Sequence, residues 1–219
     1  MEDIAVVESG GRYAYQNLDA GTPETYPLDF HSPYGCSKGA ADQYVLDYSR
    51  IYGIRSSVFR QSCIYGPRQF GVEDQGWVAW FTIASMLGKP ITIYGDGKQV
   101  RDILHVDDLV LAYEKAFNTL EVVNGQAFNI GGGPGNVLSL LDLIALIELE
   151  LGKAIPLKFD DWRPGDQKVF VCDIGKASCS LEWAPQVGAT EGVRRLCAWV
   201  GDNRELLGRH FANANMHSR

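Results

Sequence analysis

The sequence predicts an α/β fold with a parallel sheet, on three observations. Residues 32–66 run as an amphipathic helix, a stop glycine and a β-rich stretch, which is the αβ half of a parallel layer. The alternation returns further on, where apolar runs at 91–97, 100–105 and 127–133 are separated by helical patterns. Glycine supplies 24 of the 219 residues, which asks for tight turns and close backbone approaches rather than a helical bundle.

Residues 1–31 mix Gly, Pro, Asp and Thr without sustained periodicity and read as a long loop with at most one short strand. A loop of that length inside a compact domain either covers a site or trails from a preceding segment. Ser32-Pro33 has the form of an N-cap followed by a first-turn proline. Ala40, Ala41, Tyr44, Val45, Tyr48, Ile51 and Tyr52 then recur at helical spacing until Gly53 ends the helix. The run 54–66 is β-rich and stops at Gly66-Pro67. Trp77 to Leu87 makes a helix closed by Gly88-Lys89-Pro90, with Trp77 and Trp80 three apart on one face. Residues 91–97 form a strand entering a glycine turn, and Val100 to His105 a second strand. Val106 to Asn118 is an amphipathic helix with Leu109, Val110, Tyr113, Ala116 and Phe117 on one face. A buried-type strand runs into Gly131–Gly133, and Leu138 to Leu151 is a helix ending at Gly152. Short strands at Pro156 to Phe159 and Val169 to Cys172, a short helix at Ile174 to Leu181, and a long helix from Ala189 to Leu207 complete the chain. The elements shorten after Pro90, which divides the chain into 1–90 and 91–219.

Composition narrows the function classes. With 46% hydrophobic and 21% charged residues, the chain has ample apolar surface to offset ordering entropy, so it is not intrinsically disordered. A net charge of −7 and a pI near 5.1 argue against a nucleic-acid partner. The longest apolar candidate, Val137 to Leu151, is interrupted by Ser139, Asp142, Glu148 and Glu150, so no membrane partner is expected. The first residues carry acids where a secretory signal needs a basic region and an apolar core. Cys36, Cys63, Cys172, Cys179 and Cys197 are odd in number and form no C-x-x-C pair, which reads as reduced thiols in a cytoplasmic protein. His31 and His105 lack a second ligand at helical metal spacing, so no metal is expected, and Asp107-Asp108 reads as a helix cap.

The sharpest chemical signal is Ser32-Pro33-Tyr34-Gly35-Cys36-Ser37-Lys38, which sets Tyr34 and Lys38 at i and i+4 on the first turns of a helix. A phenol ionises near about 10, too high for a base at neutral pH. A neighbouring ammonium and a helix N-terminus favour the phenolate, which can then take a proton from an alcohol and return it. The plain alternative is a packed Tyr34 beside a solvated Lys38.

Five segments decide between these: SPYGCSKGAADQYVLDY, VFRQSCIYGPRQ, ITIYGDGKQVRDILHVDDL, FNIGGG and RPGDQ. Their order and spacing resemble the extended short-chain dehydrogenase/reductases, the NAD-dependent epimerases and dehydratases of nucleotide sugars. The resemblance covers the chain from about Pro27 onward. GCSKGAADQYVLDY and YGPRQFGVEDQGWVAWF look most like the branch that epimerises CDP-paratose at C2. The resemblance implies the C-terminal part of a Rossmann-type parallel sheet over 1–90, followed by a smaller α/β substrate-binding lobe over 91–219.

Two family features are missing. The G-x-x-G-x-x-G cradle for the cofactor pyrophosphate is not matched by Gly10-Gly11, which Glu8-Ser9 and Arg12-Tyr13 flank. The Ser or Thr that precedes a V-Y-G run and orients the reacting hydroxyl has no counterpart either. The expectation is therefore the C-terminal part of a longer enzyme, inactive on its own.

Carried over residue by residue, the resemblance makes Tyr34 and Lys38 catalytic and NAD-binding, with Gln61 and Ser62 near the nicotinamide amide. Cys63 stands where many relatives place an Asn beside the sugar diphosphate, and thiol hydrogen bonds are weaker. Arg68 and Gln69 face the substrate, Tyr94 contacts the base, Arg101 and Arg163 bind the diphosphate, and Asn129 touches the substrate phosphate. A guanidinium suits that task because its fork donates two parallel bonds to phosphate oxygens. Beside these stand plainer readings: core β structure for 58–65, and a surface pair of either arginine with Asp102, Asp107 or Asp166, a reading that suits Arg163 better than Arg101. Gly131–Gly133 lacks the dinucleotide spacing and reads as a turn.

The implied reaction is NAD-dependent epimerisation of a nucleotide sugar at C2, through a transient ketone, in a homodimer formed through the Tyr34 helix. Another nucleotide-sugar 4,6-dehydratase or 4-epimerase, or a nucleotide-sugar-binding fragment without activity, stays open beside it.

Overall fold

Parallel ladders dominate the strand pairing, as a strand–helix alternation requires. The structure is a computed structural model and describes residues 4–214. Strands β1 (Val6–Ser9) and β2 (Arg12–Tyr15) precede helix α1 (Pro33–Tyr52). Next come β3 (Val58–Gln61), β4 (Cys63–Tyr65), α2 (Trp77–Met86), β5 (Ile91–Tyr94), β6 (Val100–His105) and α3 (Val106–Asn118). Then follow α4 (Leu120–Val123), β7 (Ala127–Ile130), β8 (Val137–Ser139), α5 (Leu140–Leu151) and β9 (Leu157–Asp160). The chain closes with β10 (Val169–Phe170), α6 (Gly175–Leu181), α7 (Ala189–Asp202) and α8 (Arg204–Ala214).

β3 pairs with β7, β4 and β10 with β6, and β5 with β9, all parallel, while β8 joins β6 antiparallel. The β-rich run 58–65 therefore serves two ladders, changing partner at Ser62. The division expected at residue 90 runs through these ladders, since β3 and β4 precede it and their partners follow. One core packs α2, α5 and α7 around Ile91, Ile93 and Ile103. A second gathers α3, α6 and β7 around Phe128, Leu181 and Trp183. No described helix is long and apolar enough to cross a membrane.

α1 starts and stops as its sequence predicts. Ser32 Oγ accepts the Gly35 N–H at 3.0 Å, Pro33 fills the first turn, and Gly53 ends the helix at φ 65°. Elsewhere the fold corrects the sequence reading. The loop expected over 1–31 opens with a β1–β2 hairpin, whose two-residue turn Gly10-Gly11 takes φ 60° and 79°. The last helix breaks at Asn203 into α7 and α8. β8 precedes α5, which then begins with a Ser139–Asp142 capping box. The apolar face of α1 is turned outward, with Tyr44, Tyr48, Ile51 and Tyr52 exposed, and that of α3 is split: Val110, Tyr113 and Phe117 are exposed, while Ala116 is buried and Leu109 packs on the second core. α1 instead turns Gly39, Asp42 and Ser49 inward, and α3 turns Asp108, Ala112 and Ala116.

His105 caps α3, its Nδ1 accepting the Asp107 N–H at 3.3 Å. Burial holds its pKa below the ordinary value, against the pull of the Asp107 carboxylate. The native state thus prefers the neutral ring, whereas the unfolded ring protonates near about 6.5. Stability is full above that pH and is lost as pH falls below it toward the lower folded pKa. His105→Asn keeps a capping acceptor without a titrating ring. It should flatten the fall in unfolding midpoint between about pH 6.5 and pH 5; a slope identical to the parent's would assign that fall to other groups.

Candidate active site

Helix α1 brings Tyr34 and Lys38 together at its N-terminal end, with Lys38 Nζ 5.5 Å from the centre of the Tyr34 ring. Both line a pocket of about 740 Å³. The segment 22–30 forms one wall, and Phe30 sits directly over Gly39, where any Cβ would run into its ring. Arg60 and Asp42 close the base with a bidentate pair at 2.8 and 3.0 Å, and Arg60 Nη1 also donates to the Glu24 carbonyl at 3.1 Å. This pair ties α1 to β3 in a largely buried setting, the Asp42 side chain being only 9% exposed.

Gln61 and Asn129 line the same pocket. Gln61 Nε2 donates to Tyr113 Oη at 2.7 Å, which links β3 to α3. The Asn129 amide donates to the carbonyls of Thr22 at 2.9 Å and Asp173 at 3.3 Å, so it anchors loops and stands apart from the arginines.

Arg101, Arg163 and Tyr94 meet in a second pocket of about 180 Å³, together with Trp77, Gln99 and Asp166. The Arg163 guanidinium lies 3.8 Å above the Tyr94 ring, a cation–π contact. It also pairs with Asp74 at 2.9 Å, while Tyr94 Oη donates to Glu73 at 3.0 Å. Arg101 donates to the Val100 carbonyl at 2.8 Å, and its Nη2 lies 3.9 Å from Asp166. The pockets share no lining residue but adjoin across one ladder, since Phe170 of the first is the register partner of Arg101 of the second.

Four of the expected site residues line neither pocket. Ser62 turns inward, its hydroxyl donating to the Asp102 carboxylate and to the Asp102 carbonyl. Cys63 Sγ accepts the Trp77 indole N–H at 3.4 Å, and burial pushes its thiol up. Arg68 is exposed in a left-handed conformation with φ 69°. Gln69 donates to the Ile64 carbonyl at 3.3 Å, bracing the strand end.

Asp102, read from sequence as a surface partner for an arginine, is instead the most buried acid in the region, and the arginines pair with Asp166 and Asp74. Ser62, the Cys172 thiol and the Gly133 N–H all point at its carboxylate. Burial pushes its pKa up and these three donors pull it back. Gly131 packs against this cluster, and the chain turns directly after it, where the Asn136 N–H donates to the Gly133 carbonyl at 3.2 Å.

The Tyr34–Lys38 pair thus faces one pocket and Arg101 and Arg163 line the next. Residues 5–131 match the NAD dependent epimerase/dehydratase family. The chain belongs to that family. CDP-paratose 2-epimerase from Salmonella typhi is 46% identical over 207 residues, covering 91% of this chain and 61% of that protein. dTDP-glucose 4,6-dehydratase from Neisseria gonorrhoeae is 34% identical over 192 residues, covering 83% and 54%. Among solved structures, UDP-glucose 4-epimerase from Thermotoga maritima with UDP-glucose has a TM-score of 0.76 at 33% identity, covering 84% of this chain and 58% of that one. The complex of UDP-glucose 4-epimerase from Thermus thermophilus with NAD gives 0.73 at 30% identity, covering 88% and 58%. The fold is thus that of the Rossmann-type NAD-dependent epimerases and dehydratases. As a family member, the chain spans 61% of the length of the Salmonella relative.

Proposed function

We propose that the whole protein carries out NAD-dependent epimerisation of a nucleotide sugar, converting CDP-paratose to CDP-tyvelose at C2 through a keto sugar, this chain alone being inactive. The observation that carries this reading is the Tyr34–Lys38 pair on the wall of a large pocket, one ladder away from Arg101 and Arg163. The 46% identity to a CDP-paratose 2-epimerase supports the choice of sugar and of carbon.

The pocket residues fit the nicotinamide riboside end of NAD: a phenol, an ammonium and the Gln61 amide share one open wall. NAD, when bound, supplies the acceptor and later the donor of a hydride. Lys38 would hold the ribose hydroxyls of NAD beside the Tyr34 ring. Tyr34 takes the proton from the sugar hydroxyl and returns it after the sugar has presented its other face. Arg101 and Arg163 hold the diphosphate during that rotation, so binding energy becomes positioning. Tyr94 offers the base a flat ring.

The test is an assay of CDP-, UDP- and dTDP-sugars. Turnover confined to CDP-paratose and CDP-tyvelose is expected, whereas turnover of UDP- or dTDP-glucose alone would move the protein to a 4-epimerase or 4,6-dehydratase reading. A second reading, binding without turnover, is favoured by Gly10-Gly11, which builds a hairpin turn and not a phosphate cradle.

The aromatic faces of α1 and α3 support a homodimer, because so much exposed apolar surface calls for a cover. Sedimentation equilibrium should give twice the chain mass of 24.2 kDa; the single mass would reject the dimer.

A further inference from the structure

The smaller pocket holds two guanidiniums, Arg101 and Arg163, but also three carboxylates, Glu73, Asp74 and Asp166. Two positive against three negative groups leave its lining with a net charge of −1. A diphosphate entering such a lining meets repulsion unless an acid gives way.

The acids differ in how readily they can leave. Glu73 and Asp74 sit on one turn, 71–76, which is closed on itself by mutual backbone bonds between Val72 and Gln75 at 2.9 and 3.0 Å. That turn reaches the groups expected to hold ligand through two side chains, Asp74 on Arg163 and Glu73 on Tyr94. The Asp74 side chain is 85% exposed, whereas that of Arg163 is 33% exposed. A side-chain rotation therefore moves the Asp74 carboxylate into water while the guanidinium stays seated on the Tyr94 ring.

We propose that Asp74 is an internal competitor for the anion site. Its carboxylate covers Arg163 when the pocket is empty, an incoming nucleoside diphosphate displaces it, and its return helps to expel the product. The proposal rests on the nucleotide-sugar reading above and gives that site its regulation. It also accounts for the net-negative lining, because the charge that opposes the ligand is the one that can swing away.

The test is calorimetric titration of the protein with CDP and, separately, with inorganic pyrophosphate. Asp74→Asn keeps the shape and removes the charge, and should tighten binding of both by about two- to five-fold, the range expected for losing one exposed ion pair. The gain should shrink as salt is raised. It should exceed that of Asp166→Asn, which removes an equal charge from the same pocket, and should vanish when Arg163→Gln is added.

Unchanged or weaker binding by Asp74→Asn, or a gain that survives Arg163→Gln, overturns the competitor. So does an absence of binding by either probe to every variant. A pyrophosphate gain with no CDP binding would uphold the competitor and reject the nucleotide-sugar reading. CDP binding without any effect of Asp74→Asn would do the reverse.

Discussion

Tyr34→Phe is expected to lower kcat/KM for the nucleotide sugar by about 10³-fold, the usual contribution of a positioned acid–base group. The phenol is 69% exposed and stands on the pocket wall beside Lys38, so removing its oxygen leaves helix, pocket and neighbours in place. Binding of the nucleotide sugar should change by less than about two-fold, because the proposed diphosphate ligands, Arg101 and Arg163, line the adjoining pocket. Steady-state kinetics and titration with CDP separate these effects. A variant that kept a tenth of the parent activity would place the proton transfer elsewhere. Loss of both turnover and binding would make Tyr34 a binding residue instead.

Asp42→Ala should destabilise the fold by about 3 kcal/mol, because removing one partner strands the other charge in a dry setting. Asp42 presents both oxygens to Arg60, and among the described residues the guanidinium's other hydrogen bond goes to the Glu24 carbonyl. The Arg60 side chain keeps 22% exposure, which lets some water return and holds the cost to the lower part of the usual range. Urea unfolding reads the loss directly. The double replacement Asp42→Leu with Arg60→Met should be less costly than Asp42→Ala alone, since no charge is left unpaired. Equal losses would mean that packing of α1, rather than the ion pair, sets the stability. Because Asp42 lies two turns along α1 from Tyr34, the pair also holds the helix that carries Tyr34 against β3.

The parts of this molecule that could be read from sequence are those written in local chemistry. Ser32, Pro33 and Gly53 mark α1 to the residue because caps act on their own backbone neighbours. Gly152 does the same for α5. The hairpin at Gly10-Gly11 carried a local signal too, but its four-residue strands are too short to show an alternation. The helix faces were not legible, because α1 and α3 carry apolar residues on the side that the fold leaves uncovered. Periodicity identifies a stripe, not what covers it.

The candidate site divides in the same way. Tyr34 and Lys38 are one helical turn apart, so their meeting follows from spacing. Arg101 and Arg163 meet only through strand order, and two of the three carboxylates facing them, Glu73 and Asp74, come from a third segment. Arg60 and Asp42 belong to different elements, and nothing near either residue names the other. Ser62 was expected at the cofactor but turns inward, because Asp102 offers a buried acceptor that its neighbours in sequence do not reveal.

The partner change at Ser62 has a consequence for biosynthesis. β4 waits for residues 100–105, β3 for 127–130, and β6 completes its pairing only with 169–170. During translation, the helix carrying Tyr34 emerges well before β7, the strand that pairs with its neighbour β3 among the described residues. Loop closure over such separations slows folding, so the half-made polypeptide displays aromatic surface while the ribosome works through the remainder. A nascent chain of this design has good reason to engage chaperones, and its site comes into being among the last events of folding.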